Sequence, residues 1–258
     1  NLILQADEGA NQSSSQVQFH VDGTNFAHLN ENGSLIINHT SSISNGSVNS
    51  RLQVFDVDAD ASISLGRFGG TTSPPYVMFL KSRGTNIGNH TIVNDGDNVG
   101  EIRWRPSDGN DFSNEAAAII CKIDGTPGTD DTPGELIFQT TADGSNTAST
   151  KMVIRSDGKI GMGTANPDTH IHISTSDRNI IKFHSSYGTE RTYYFRNDSG
   201  VLNIGGGTPQ DSNDLLNLDV ANMKVGIDTK TPFTPLHVIT EGAPDSSGNV
   251  TSGLVVSH

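Results

Sequence analysis

Cysteine is nearly missing from this chain. Cys121 is the single one among 258 residues, so neither an intrachain disulfide nor a cysteine-built zinc site is open to it. Its surroundings, Ala117-Ala-Ile-Ile-Cys-Lys-Ile123, point to a buried strand thiol and not to a nucleophile. Basic residues are scarce as well: 16 Lys and Arg stand against 29 Asp and Glu, a net charge of −13. No basic run occurs, and phosphate contacts need clustered cations, so no nucleic-acid-binding face is expected. The acidity instead keeps a broad surface in solution through a repulsion that salt screens. No apolar run approaches the roughly 18–20 residues that a bilayer-spanning helix needs, so no membrane insertion is expected. No signal peptide is expected. The chain opens at Asn1 and stops in mid-pattern at Val255-Val-Ser-His258, and a fragment of something longer is expected.

Apolar material is thin throughout. Only 33% of the residues are hydrophobic and 6% aromatic, where ordinary globular domains hold roughly 45–50% apolar residues with glycine counted. The 28 glycines narrow the gap but bury little. Such a chain is either disordered or completes its core with copies of itself. Its short, regular apolar segments argue against disorder, and an oligomer is expected.

What the sequence does contain is strand periodicity. Val17–Val21, Leu52–Val57, Ser62–Leu65, Glu101–Arg105 and Lys151–Arg155 alternate or carry β-formers in short runs. Turn signals separate them: Asn32-Gly33, Asn45-Gly46, Asp95-Gly96, Asp108-Gly109, Asp124-Gly125, Asp143-Gly144 and Asp157-Gly158. The one helix candidate, Asn114-Glu-Ala-Ala-Ala118, runs straight into β-branched residues and is expected to lead into a strand.

The organising feature is a repeat. Lys159-Ile-Gly-Met-Gly-Thr-Ala-Asn-Pro-Asp-Thr-His-Ile-His-Ile173 aligns without a gap on Lys224-Val-Gly-Ile-Asp-Thr-Lys-Thr-Pro-Phe-Thr-Pro-Leu-His-Val238, at a constant offset of 65. A catalytic loop is rarely needed twice, whereas a structural joint often is. With strand alternation, Ile160 and Met162 are expected inward, and Gly161 and Gly163 leave a bare face for a crossing backbone of another chain. Pro167 and Pro232 then end the ladder. A fresh strand follows with Ile171 and Ile173, or Leu236 and Val238, inward and His172 or His237 outward. Three hairpins precede such strands or joints, turning at Asn32-Gly33, Asp157-Gly158 and Ser199-Gly200. Repetition of one small unit marks an elongated architecture.

Candidate chemical sites fall away one by one. A dinucleotide fingerprint fails because Asn166 and Pro167 stand where a third Gly and a helix should begin, and a phosphate loop fails because Ile160 follows Lys159. Gly205-Gly-Gly207 precedes no helix. Asp56-Val-Asp-Ala-Asp60 begins like a calcium loop, but Ala61 and Arg67 replace the sixth-position Gly and the twelfth-position Glu, which leaves a solvated strand face. His170 and His172 share one strand face and could ring an axial metal in a threefold assembly; Pro235 at the place of His170 in the second copy speaks for surface or inter-chain histidines. Neither a Gly-x-Ser-x-Gly elbow nor a His-Glu-x-x-His is present, and a carboxylate pair for sugar cleavage would be invisible here. Trp104, alternating with Ile102, is expected in the core. The sequons at Asn11, Asn32, Asn38, Asn45, Asn89, Asn197 and Asn249 are explained by turn composition. No catalytic, cofactor-binding or metal-binding residue is assigned.

A series of spaced elements carries a family likeness: Lys81-Ser-Arg-Gly-Thr85, Asp95-Gly-Asp-Asn-Val-Gly-Glu-Ile102, Ala117-Ala-Ile-Ile120, Asp124-Gly-Thr-Pro-Gly128, Pro133-Gly-Glu-Leu-Ile-Phe-Gln-Thr-Thr-Ala-Asp-Gly144, Met152-Val-Ile154 and Gly158-Lys-Ile-Gly-Met-Gly-Thr164. In order and spacing these resemble a module common in bacteriophage tail fibres, over residues 76–175 and again at 224–238. Met162 replaces the usual Ile, and Asp228 stands where the second joint should have its second Gly. The resemblance implies an all-β, elongated homotrimeric fibre of short antiparallel strands and hairpins, with chains side by side or intertwined. It implies a structural virion protein of the tail fibre, exposed to the medium and involved in host attachment, with no enzymatic activity and no cofactor. Expected partners are two further copies of the chain, other tail or fibre proteins, and a host surface glycan or protein receptor. A glycan-binding tip, with Tyr187, Tyr193 and Tyr194 as the local tyrosine concentration, and a polysaccharide-degrading tailspike are the alternatives. Unit boundaries are expected at 1–50 (hairpin unit), 51–169 (large unit), 170–234 (shorter repeat) and 235–258 (start of a further unit).

Overall fold

The computed structural model describes residues 16–21, 24–44, 48–57, 61–177, 179–185, 191–198, 200–206, 214–227, 232 and 234–238. All regular structure among them is strand. The chain divides into two compact units, residues 1–172 and 173–258. The first unit holds two sheets. One is β1 (Val17–Val21), β2 (Thr24–Leu29), β3 (Leu35–Ile37) and β4 (Leu52–Val54), in that order. The other runs β10-β9-β8-β7-β6-β5, built from β5 (Asn98–Trp104), β6 (Ala117–Ile123), β7 (Gly134–Thr141), β8 (Ala148–Ile154), β9 (Ile160–Met162) and β10 (Ile171–Ile173). The second unit is a sheet of β11 (Asn179–Ser185), β12 (Arg191–Asp198), β13 (Val201–Gly206), β14 (Asp214–Asp219), β15 (Lys224–Ile227) and β16 (Leu236–Val238), in sequence order.

Neighbouring strands are antiparallel meanders, as turn-rich short strands favour, except where a sheet closes. There β4 lies parallel to β3 and β16 parallel to β15. The expected turns fall in place: Gly33, Gly96, Gly109, Gly125, Gly144 and Gly158 all have positive φ. Asn45-Gly46 lies outside the described residues. Asn114–Ala118 does lead into a strand, β6.

Each of the three sheets ends in the same joint. A residue at the start of a short strand donates its N–H to the carbonyl just before the returning strand: Leu35 to Arg51 (2.7 Å), Ile160 to His170 (2.9 Å) and Val225, second in β15, to Pro235 (2.8 Å). Only a carbonyl is used at that place, so Pro235 can stand where His170 does. Counting back from these bonds, Gly33, Gly158 and Met223 occupy one position, and all three have positive φ. The third joint is therefore entered by the β14–β15 hairpin, whereas Ser199-Gly200 belongs to the upstream β12–β13 hairpin. Met223 hides the correspondence, because a left-handed residue without glycine leaves no turn signature.

The faces of the joint are the reverse of those expected. Gly161 is buried, and a Cβ placed on it would collide with the backbone carbonyl of Thr164. The backbone that crosses the bare face is thus the chain's own loop. Ile171 is 65% exposed and Leu236 51%, while His172 and His237 are half-buried. In the first joint the same inner position holds Ile36, fully buried between His28 and Gln53. The β3–β4 loop folds over it, for the Gln53 carboxamide accepts from Ile43 N–H (2.9 Å) and donates to the Ser50 carbonyl (3.1 Å).

Ser62–Leu65, read as a strand from its alternation, forms none. Residues 61–80 make neither a strand nor a backbone–backbone hydrogen bond among the described residues, although Ile63, Phe68 and Leu80 are among their exposed apolar side chains. The alternation is real, but the described residues supply no ladder partner for it.

Candidate functional site

In each sheet the face turned away from the crossing loop carries aliphatic rows that are half-buried or exposed. Cross-strand registers line up Leu29, Leu35 and Leu52 in the first sheet, and Leu218, Val225 and Leu236 in the third. In the second sheet one row runs Cys121, Leu136, Ile154, Ile160, and a parallel row runs Ile102, Ile119, Phe138, Met152, Met162. Leu29, Leu35, Leu52, Ile102, Leu136 and Met162 are all exposed. Residues directly opposite on neighbouring strands share a face, so these are continuous apolar strips and not isolated side chains. Trp104, two residues after Ile102 and 48% exposed, stands on this open face and not in the core.

The opposite face of the second sheet is apolar, with Ala118, Ile120 and Val153 buried, whereas that of the first and third sheets carries polar side chains beside Ile36 and Tyr194. His28, Gln53, Asn203 and Asn217 are buried there. Asn203 Nδ2 donates to Asn217 Oδ1 at 2.5 Å, and the buried Arg196 guanidinium lies 5.8 Å from the centre of the Tyr194 ring. Buried amides that are paired hold register without demanding apolar mass. The first and third sheets thus bury polar residues while their aliphatic rows stay half-buried or exposed. Against a neighbour, each such aliphatic side chain would contribute about 1.5–3 kcal/mol on full burial.

Charged groups in the second sheet act as ties. Arg83 forms two bonds of 2.6 Å to the Asp97 carboxylate, which also accepts Asn94 N–H. Hydrogen bonding from Arg83 and the Asn94 amide holds Asp97 well below the usual carboxylate range. Burial pushes Asp124 up, but Ser156 N–H and hydroxyl together with Arg155 outweigh it, and the net shift is downward. Arg155 also reaches buried Glu135 at 3.5 Å. These carboxylates are paired structural ions; none is a proton donor waiting in a cleft.

An open cleft of about 690 Å³ lies beside β4 and β5, with Phe55, Phe112, Glu101, Arg103 and Arg105 in its wall. Its cations are already engaged, Arg103 with Glu101 and, at 2.8 Å, with Glu115. The cleft therefore offers a weakly charged surface and no assembled acid–base pair.

The sequence candidates do not converge. Asp56 accepts from Asn38 Nδ2 at 3.2 Å, and Asp58 and Asp60 lie outside the described residues. His170 is exposed and uses its carbonyl, while His172 Nδ1 sits 3.0 Å from Asp168 Oδ1. No group of three or more His, Cys, Asp or Glu able to hold a metal occurs among the described residues. Tyr194 is buried, Tyr193 is half-exposed, and Tyr187 lies outside the described residues. Cys121 is a free, half-buried thiol on β6.

No family model matches the chain, and no curated protein matches it. Among solved structures it is similar to the carboxy-terminal domain of the bacteriophage T5 L-shaped tail fibre, at 15% identity and a TM-score of 0.44, over 63% of this chain and 71% of that one. A likeness this distant carries neither a role nor a residue to this chain.

Proposed function

We propose that the chain is a structural segment of a bacteriophage tail fibre, self-associating as a homotrimer and serving host attachment by holding the receptor-binding end away from the particle. The aliphatic face that all three sheets leave half-buried or exposed is the observation that carries this reading. A soluble monomer rarely leaves large contiguous apolar strips in water; such strips mark an interaction surface. Recurrence of one apolar row at each joint suits a partner with the same repeat, namely another copy. The copy number of three and the virion setting rest on the resemblance of residues 76–175 to the tail-fibre module. Tyrosine exposure gives the glycan-binding tip no comparable support, because Tyr194 is buried under the sheet.

Light scattering on the intact chain tests this. A particle of three times 27.4 kDa that persists on dilution and in mild denaturant is the expected result. A stable single chain would overturn it.

A further inference from the structure

We infer that residues 61–80 are an inter-copy strand, which lies on the open apolar face of a second copy of this chain. This rests on the self-association proposed above and names the segment responsible. Four observations converge on it. The segment is long for a structureless stretch inside a compact unit, where such loops are commonly functional. Among the described residues its amides and carbonyls have no backbone partner, so they are free to pair with a strand of another copy. It carries a single charge, Arg67, within a sequence that is 17% charged, and depletion of charge marks the centre of an interface. Its apolar side chains are bare, Phe68 being 99% exposed and Leu80 89%.

One contact shows what the segment fits. Phe79 packs on Gly100 of β5, so closely that a Cβ there would lie 2.5 Å from the Phe79 ring. Gly100 pairs with Cys121 and so belongs to the row that continues through Leu136, Ile154 and Ile160. The C-terminal end of the segment is thus seated at the margin of the open face, while Ile63, Leu65 and Phe68 extend free of it. The same apolar face on a neighbouring copy is the complementary surface for those residues.

Hydrogen exchange read by mass spectrometry on the intact chain, with mass measured in parallel, tests the inference. In the assembled protein the amides of 62–66 and 76–80 are expected to exchange at least about tenfold slower than an unstructured chain. F68D removes no contact within a single chain, yet it is expected to raise the concentration at which the assembly dissociates by about tenfold or more. An assembled protein whose 61–80 amides exchange at the unstructured rate overturns this inference and leaves the fibre reading standing. So does an F68D protein that assembles as well as the original. A protein that stays a single chain overturns both. If F68D does not fold, exchange in the unaltered protein still decides.

Discussion

The joints at β2–β4 and β8–β10 solve one packing problem in opposite ways. In the first, Ile36 fills the inner position with its own side chain, and Leu52 stands 17 positions after its partner Leu35. In the second, Gly161 leaves that position empty, the Thr164 carbonyl occupies the space, and Ile171 follows Ile160 after 11 residues. The space beneath the ladder is filled once, by side chain or by loop. A tight return loop demands glycine, and a longer one admits isoleucine. The β14–β16 joint sides with the second, having buried Gly226 and a Val225-to-Leu236 spacing of 11.

Exchanging the fillers should break each joint. Ile36→Ala opens a cavity under a fully buried site and is expected to cost about 2–5 kcal/mol. Gly161→Ala forces a methyl against backbone oxygen and Val153 Cγ1, with an expected cost of about 1–3 kcal/mol. Thermal unfolding at one fixed protein concentration measures both. If Gly161→Ala leaves the midpoint unchanged, the loop does not fill the space as described.

Acid should separate the same two joints. The turn before β9 is braced by Asp124, which accepts Ser156 N–H (2.9 Å) and pairs with Arg155 (2.5 Å). The turn before β3 is braced by Asn30 Oδ1, which accepts Asn32 and Ser34 N–H and does not titrate. The folded pKa of Asp124 lies below its unfolded value, so its stabilisation is complete above about pH 4 and drains as pH falls further. Amide exchange at Ser156 and Lys159, corrected for the intrinsic acid rate, should therefore rise relative to Gly33 and Ser34 on acidification. Equal loss at both turns would count against the Asp124 tie.

The smallest effect concerns the third joint. Met223 holds φ of 52° at the position where the other two have glycine, and its side chain is 85% exposed. Met223→Gly should relieve the left-handed strain and stabilise by up to about 1 kcal/mol, with the added freedom of the unfolded chain subtracting from it. A loss of stability would mean that the methionine side chain has a contact of its own.

Much of the fold could be read from periodicity and turn residues, because strand alternation and Asn-Gly or Asp-Gly dipeptides are local properties. The joint at 159–173 and its copy at 224–238 were visible for the same reason: their glycines and prolines recur at one offset. The first joint could be read only as a related hairpin followed by a strand, since Ile36 replaces the glycine and its loop is longer. Which face is covered could not be read at all. Alternation tells that Ile160 and His172 point opposite ways in their strands, but only the course of residues 163–169 decides which of them meets the chain. Trp104 was misplaced for the same reason, and Ser62–Leu65 forms no strand because alternation does not supply a ladder partner. The open face, which is the candidate site, is therefore the part least legible from alternation alone, although the low apolar content had already called for neighbours.

One bond in the joint has a consequence for those who wish to alter the protein. His170 and Pro235 enter the ladder by their carbonyl oxygens alone, and both side chains face water. A connection keyed to a carbonyl is blind to whatever side chain is attached to it. These two places can therefore accept a fluorophore or a spin label without disturbing the return of the strand, and from them the closing of each joint can be watched directly.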